Sequence, residues 1–148
     1  MLTKLHAAAG TLAFLMIASF WSATALTELF GNTHQIAAVK TGILYAMMVM
    51  IPAMATAGIT GARLGRGMRL PMVAVKLQRM KVIAGNGILI LLPSAVFLAL
   101  RAQAGQLDIA FLIVQTLELL AGAINITLLA LNMRDGLRIA ARRRGVRG

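Results

Sequence analysis

Residues 114–132 read VQTLELLAGAINITLLALN, an apolar run that nevertheless contains one carboxylate and three amides. A helix of this length rises about 28 Å, close to the ~30 Å hydrocarbon core of a bilayer. At steps of three and four residues the run reads Gln115, Glu118, Gly122, Asn125, Leu129 and Asn132. A period of 3.6 residues places all six on one helix face. We call this face the polar stripe and expect it to point into a helical bundle, away from lipid.

The composition predicts a membrane protein. Of the 148 residues, 59% are hydrophobic and 13% are charged, and the mean hydropathy is +0.84. A soluble domain of this size would need more polar surface, so the excess apolar residues are interpreted as lipid-facing. The chain has no cysteine, which excludes disulfides, iron–sulfur clusters and cysteine-based zinc sites.

Four apolar runs are each long enough to span a bilayer. They cover approximately residues 7–30, 36–61, 82–100 and 109–133. The predicted fold class is therefore all-α, a polytopic four-helix transmembrane bundle that forms a single domain over residues 1–148. A basic loop, 62–81, and a basic tail, 134–148, complete it.

The basic residues divide unevenly between the two sides of this bundle. Thirteen of the 15 fall in the N-terminus, the 62–81 loop and the tail, which four spans place on one side, whereas Lys40 and Arg101 belong to the other. The positive-inside rule makes the basic side cytoplasmic. We therefore expect a multi-pass protein of the bacterial inner membrane with both termini in the cytoplasm. The net charge of +11 is explained by topology and anionic lipid headgroups, and no nucleic-acid partner is predicted.

The polar stripe contains the candidate functional site. Glu118 lies about 14 Å from the outer end of its span, where a carboxylate costs on the order of 3 kcal/mol. Lys40 is the predicted partner, Glu28 competes for it, and Gln115 lies one turn from Glu118. Asn125 extends this candidate polar site toward the inner half. Two interpretations stay open: interhelical hydrogen bonds that fix the packing, or a site for a proton, an ion or a small solute.

The two histidines are candidate haem b ligands. His6 begins the first span and His34 precedes the second, so a membrane thickness separates them and they cannot share one haem in a monomer. Each could ligate a haem alone or with a methionine as second ligand, for which Met133 lies near the depth of His6. No metal site is predicted, because the methionines around Met50 have no histidine nearby in sequence.

Small residues and prolines predict how the spans pack. Ala53, Ala57, Gly61 and Gly65 form a smooth ridge at four-residue spacing, and Ser19, Ala23 and Thr27 offer a second one. Prolines interrupt the second and third spans at positions 52 and 93, where they remove a backbone donor and favour a kink.

Three segments carry a resemblance to known proteins. FWSATALTELFG (20–31), IAGNGILILLPSAVFLAL (83–100) and ELLAGAINITLLALNMRDGLR (118–138) resemble an uncharacterised family of small four-span bacterial inner-membrane proteins. The general plan is also similar to cytochrome b561-type four-helix haem proteins, although the paired histidines on facing helices are lacking. The first resemblance implies a four-span fold and a location in the bacterial inner membrane, and it implies no activity.

The leading functional hypothesis is a non-enzymatic accessory subunit of a membrane complex, or a homo-oligomer, since no nucleophile–base pair, phosphate loop or HExxH motif occurs. One alternative is a b-type haem or quinone-binding electron-transfer protein. A second is a small proton, ion or solute transport unit that uses Glu118. No catalytic residue is assigned.

Overall fold

The structure, a computed structural model, describes the backbone of residues 1–66 and 71–145 and the side chains of residues 1–66 and 71–141. Within these ranges every regular element is helical. The helices are α1 (Leu2–Phe30), α2 (Thr33–Gly65), α3 (Pro71–Asn86), α4 (Leu92–Gln103) and α5 (Ile109–Gly145). A π-helical turn, Gly87–Leu91, joins α3 to α4, so that Pro71–Gln103 is one continuous rod. Counting the rod once, four helices are long and apolar enough to cross a membrane, which confirms the predicted all-α, multi-pass fold class.

The four helices form a ring. Helix α1 packs against α2 and α5, and the α3–α4 rod packs against the same two helices, so α1 and the rod occupy opposite corners. The start of α1, the end of α2, the start of α3 and the last turns of α5 lie together, and we call this side the basic end. The hairpins at Gly31–Asn32 and 104–108 lie at the other side, the short-loop end.

The helices extend beyond the predicted spans at the basic end. The rod begins at Pro71 and not near residue 82, and α5 continues past residue 133 to Gly145. Hydropathy identifies only the part of a helix that suits hydrocarbon, whereas internal backbone hydrogen bonds let the helix continue into a more polar layer. Residues 67–70 of the predicted loop, residues 146–148, and the arginine side chains from position 142 onward lie outside the described residues.

The hairpin between α1 and α2 is specified by two adjacent residues. Asn32 caps α2 by accepting a hydrogen bond from the Gln35 N–H at 2.9 Å, and the Gln35 side chain accepts one from the Asn32 N–H. At Gly31 a Cβ would lie 2.6 Å from the Thr27 carbonyl oxygen. Because that neighbour is backbone and cannot move aside, this position requires glycine.

The hairpin between α4 and α5 combines a left-handed glycine with a charged cap. Gly105 has φ +68°, a conformation that residues with a Cβ rarely adopt. Asp108 Oδ1 accepts a hydrogen bond from the Phe111 N–H at 3.1 Å and so caps α5. Its other oxygen lies 2.6 Å from Arg101 Nη2, which ties the two helices together.

The two prolines have different effects. The π turn Gly87–Leu91 lies directly before Pro93, and the Leu92 N–H donates to the Gly87 carbonyl, five residues back. Since Pro93 has no N–H for the Leu89 carbonyl, widening the preceding turn accommodates the ring. Pro52 is exposed on the surface of α2, which stays α-helical through it.

Small residues pack the helices, partly as predicted. Ala53 and Ala57 are buried, in agreement with the predicted ridge on α2. The ridge expected on α1 is wrong at Ser19, which is exposed. The buried positions of α1 are Ala9, Ala13, Ile17 and Thr24. The buried residues Ala9, Ala13 and Ile17 also follow four-residue steps, so this spacing alone does not tell which such row on a helix faces its neighbour.

Candidate functional site: a chain of polar groups inside the bundle

The polar stripe of α5 faces the interior, as its spacing predicts. Gln115, Asn125 and Asn132 are buried, and Glu118 is mostly so, whereas Leu117 and Leu120 on the opposite side are exposed. A polar face pointing inward lets its groups find partners on neighbouring helices, which hydrocarbon cannot provide.

The predicted contact between Lys40 and Glu118 is present. Lys40 Nζ donates to Glu118 Oε2 at 2.5 Å, joining α2 to α5 across 78 residues of sequence. The Lys40 side chain is 2% exposed and that of Glu118 is 13% exposed. Two opposite charges in contact offset much of the cost of removing each from water, so the pair neutralises the most costly residue of the stripe.

Two further groups complete the surroundings of this ion pair. The hydroxyl of Thr24, buried on α1, lies 3.5 Å from Lys40 Nζ, and Gln115 Nε2 lies 3.4 Å from Glu118 Oε2. Three helices therefore meet at one cluster of polar side chains, which we call the ion-pair cluster. Sequence reasoning missed Thr24. Its spacing of four residues from Glu28 on the same helix is the signal that could have identified it.

Glu28 lies beside the ion-pair cluster, within electrostatic range of Lys40 and Glu118. It does not displace Glu118 as the partner of Lys40. Its Oε1 atom is buried and, among the described residues, has no hydrogen-bond partner; the same holds for Gln115 Oε1. Two buried acceptors without donors are therefore close to the one buried ammonium group.

Gly122, in the middle of the polar stripe, allows Trp21 of α1 to approach α5. A Cβ at Gly122 would lie 3.0 Å from Trp21 Cδ1. The Trp21 Nε1–H donates to the Leu119 carbonyl at 2.9 Å, so the indole is fixed in this position. The absence of a side chain at Gly122 therefore permits close approach, with an aromatic side chain as the approaching group.

A small cavity lies next to the ion-pair cluster, with a volume of about 60 Å³. Its walls are mainly apolar, including Ile43, Met47 and Ala95, and Glu118 and Thr24 provide polar edges. The volume is enough for a few water molecules and far below the ~300–1,000 Å³ of sites that enclose a small organic ligand.

Asn125 does not join the ion-pair cluster and binds the rod instead. Its Oδ1 accepts a hydrogen bond from Asn86 Nδ2 at 2.9 Å, and its Nδ2 lies 3.4 Å from the Ile83 carbonyl. Asn86 also donates to the Ala121 carbonyl at 2.8 Å. Asn125 lies two turns, about 10 Å, from Glu118, so the candidate polar site separates into two clusters with different partners.

The stripe continues past its predicted end into a second ion pair. Asn132 Nδ2 lies 3.4 Å from the Lys76 carbonyl, and Asp135, one step of three further, lies 2.6 Å from Arg79 Nη1. Sequence reasoning assigned Arg79 only to the basic loop and did not consider Asp135. The same three- and four-residue spacing that defines the stripe would have included it.

The two histidines lie at opposite ends of the bundle. His34 is exposed in the first turn of α2, whereas His6 lies beside Ala57 and Thr60 near the other end of that helix. The 26 residues from His34 to Thr60 correspond to about 39 Å, so no single haem can bind both rings, as the sequence predicts. The His6 Nδ1–H donates to the Ala57 carbonyl at 3.1 Å, since that oxygen can only accept.

The groups described above pair charges and form hydrogen bonds. Among the described residues no three histidine, aspartate or glutamate side chains are close enough together to hold a metal ion. No protein-family model, no curated protein and no solved structure matches this chain.

Proposed function

We propose that this protein is a non-catalytic accessory subunit of a larger assembly in the bacterial inner membrane, with its basic end in the cytoplasm. The observation that carries the proposal is the pairing of Glu118 with Lys40 of the same chain. The most reactive group within the bundle is thereby neutralised by its own fold. What remains for interaction is the lipid-facing exterior and the charged basic end.

Transport through the bundle is disfavoured by the same geometry. A carboxylate that carries protons or ions must exchange its partner for a ligand from solution. Glu118 contacts an ammonium at 2.5 Å, and the neighbouring cavity of about 60 Å³ is small. If Glu118 nevertheless conducts protons or ions, vesicles with the purified protein should show a pH-driven flux that Glu118→Gln abolishes. That result would favour the transport hypothesis over the accessory role.

The orientation is testable because the chain has no cysteine. Single substitutions Thr33→Cys at the short-loop end and Arg66→Cys at the basic end can be labelled in whole cells with a membrane-impermeant maleimide. Both positions are exposed and close to a loop. We expect Thr33→Cys to react in intact cells and Arg66→Cys only after permeabilisation. The reverse pattern would show that the basic end is outside.

The accessory role predicts a stable partner. A photo-crosslinking amino acid at exposed Leu120, with the same residue at buried Leu98 as the matched control, should crosslink to another protein in native membranes only at position 120. The purified chain has a mass of 15.7 kDa. Recovery as a free monomer of that mass from mild detergent, with no crosslink at Leu120, would contradict the proposal.

An absorption spectrum tests the haem alternative directly. If the purified protein is a b-type haem protein, a reduced-minus-oxidised spectrum shows a Soret band, and organic extraction of the same sample detects bound quinone. Either finding at one molecule per chain would make the electron-transfer hypothesis the better one. We expect neither at that ratio.

A further inference from the structure

A cleft with a volume of about 270 Å³ opens at the basic end, and residues from α1, α2, α3 and α5 line it. Its walls are largely apolar, with leucine, valine, methionine and isoleucine side chains from three of the helices. The polar groups in it are Thr3, His6 and Lys76. The cleft is more than four times the volume of the cavity beside Glu118 and is separate from the ion-pair cluster.

Lys76 supplies a positive charge that has no ion-pair partner among the described residues, although Asp135 lies within electrostatic range of it. Its ammonium makes no ion pair and no hydrogen bond with any described side chain. The sequence has four acidic side chains, and among the described residues Asp135 is the one at this end. Asp135 contacts Arg79 at 2.6 Å and Arg134 at 3.4 Å. The cleft therefore contains a cation while the nearest carboxylate is bound elsewhere.

Glycines bring the two basic side chains into the cleft. A Cβ at Gly136 would lie 3.2 Å from Lys76 Nζ, and a Cβ at Gly61 would lie 2.9 Å from His6 Cε1. Both side chains therefore lie directly against helix backbone where a larger residue would displace them. The His6 ring is fixed through Nδ1 by Ala57 and Thr60, both at 3.1 Å.

The depth of the cleft matches the headgroup layer. The backbone of Lys76 lies six residues before the apolar run that starts near 82, about 9 Å along the rod, but its Nζ lies at the depth of Gly136, where a Cβ would be 3.2 Å away from it. His6 and Gly136 lie within about 5 Å of the ends of their apolar runs. Headgroups extend roughly 5–8 Å beyond the hydrocarbon on each side, and basic pockets between membrane helices bind anionic headgroups.

We propose that this cleft binds one anionic phospholipid, with its phosphate at Lys76 and part of one acyl chain along Leu64, Leu77 and Ile139, because a cleft of about 270 Å³ is too small to enclose the whole lipid. The inference depends on the proposed function in one respect, which is that the basic end faces the cytoplasmic leaflet. A phosphate with an attached chain suits the cleft better than free phosphate, because most of the lining is apolar.

The test measures lipid binding to the intact chain. Native mass spectrometry of the protein in detergent, titrated with phosphatidylglycerol or with phosphatidylcholine of the same acyl chains, yields the dissociation constant of the first bound lipid. Lys76→Gln removes the charge in the cleft. Lys81→Gln removes the same charge from an exposed position on the same helix, and Lys76→Arg retains the charge at the site.

We expect phosphatidylglycerol to bind more tightly than phosphatidylcholine and Lys76→Gln to weaken it about tenfold, the loss of one charge-assisted hydrogen bond. Lys81→Gln should have a much smaller effect, and Lys76→Arg should retain most of the affinity. Equal losses at positions 76 and 81 would show delocalised surface attraction and overturn the proposal.

Two other outcomes are informative. One distinguishes a lipid headgroup from free phosphate, and the other distinguishes failure of the lipid site from failure of the proposed orientation. Displacement of phosphatidylglycerol by millimolar inorganic phosphate would identify a site for a soluble anion and overturn the lipid assignment. Binding in detergent does not depend on orientation in a cell. A failed titration therefore refutes the lipid site alone, and a reversed cysteine-labelling pattern refutes the orientation.

Discussion

Removing one partner of the Lys40–Glu118 ion pair should destabilise the bundle far more than removing both. Lys40→Met leaves Glu118 without a cation, and Glu118→Leu leaves Lys40 without the anion that it contacts, with Glu28 nearby but not in contact. The double substitution replaces the pair by apolar side chains. The contact is 2.5 Å long and the lysine is 2% exposed, so neither isolated charge can be solvated where it lies.

The structure sets the expected size of these effects. Breaking a buried ion pair costs about 3–5 kcal/mol in the free energy of unfolding, while replacing both partners is often neutral or stabilising. The Arg101–Asp108 pair is a matched control, because its 2.6 Å separation is nearly the same but its side chains are 27% and 54% exposed. Arg101→Met should therefore cost no more than about 1 kcal/mol.

Equilibrium unfolding in mixed micelles with increasing dodecyl sulfate measures these differences. Trp21 is the single tryptophan and packs against α5 at Gly122, so its fluorescence reports the loss of helix packing. The reasoning is refuted if each single substitution costs no more than Arg101→Met, or if the cost of the double variant equals the sum of the two single costs.

Three further substitutions test individual contacts through the same unfolding measurement. Gly122→Val should cost about 1–3 kcal/mol, because the new side chain meets Trp21 at 3.0 Å. Asn125→Leu should cost about 0.6–1.7 kcal/mol, because Asn86 loses one of its two acceptors. Asp108→Ala should cost about 1 kcal/mol through loss of the cap on α5.

Matched variants distinguish these causes. Gly42→Val adds the same side chain where a Cβ meets nothing within 4 Å, and a loss equal to that at Gly122 would discount the contact with Trp21. Thr127→Val removes a hydroxyl that bonds within α5, so it should cost less than Asn125→Leu. Asp108→Asn retains a capping oxygen. If it lowers the free energy of unfolding as much as Asp108→Ala does, the effect comes from the lost charge and not from the lost cap.

Several features of the site follow from local sequence, and others do not. The inward direction of Gln115, Glu118, Asn125 and Asn132 follows from helical period alone. Lys40 could be identified as the partner of Glu118 because it is the single basic residue within the predicted spans. Asn125 had many possible partners. In such a case the helical period predicts the direction of the side chain but not the residue that it contacts.

By itself the sequence determined the number of spans, the buried face of α5 and the ends at which charge accumulates, because hydropathy and helical period act over a few neighbouring residues. Only the tertiary structure decided that α1 lies opposite the α3–α4 rod and that Thr24 and His6 meet α2. The same holds for the pairing of Asp135 with Arg79 and for the cleft at Lys76. The contacts of His6 with Thr60 and of Arg79 with Asp135 join residues 54 and 56 positions apart. They depend on the rotation and the depth at which whole helices pack together.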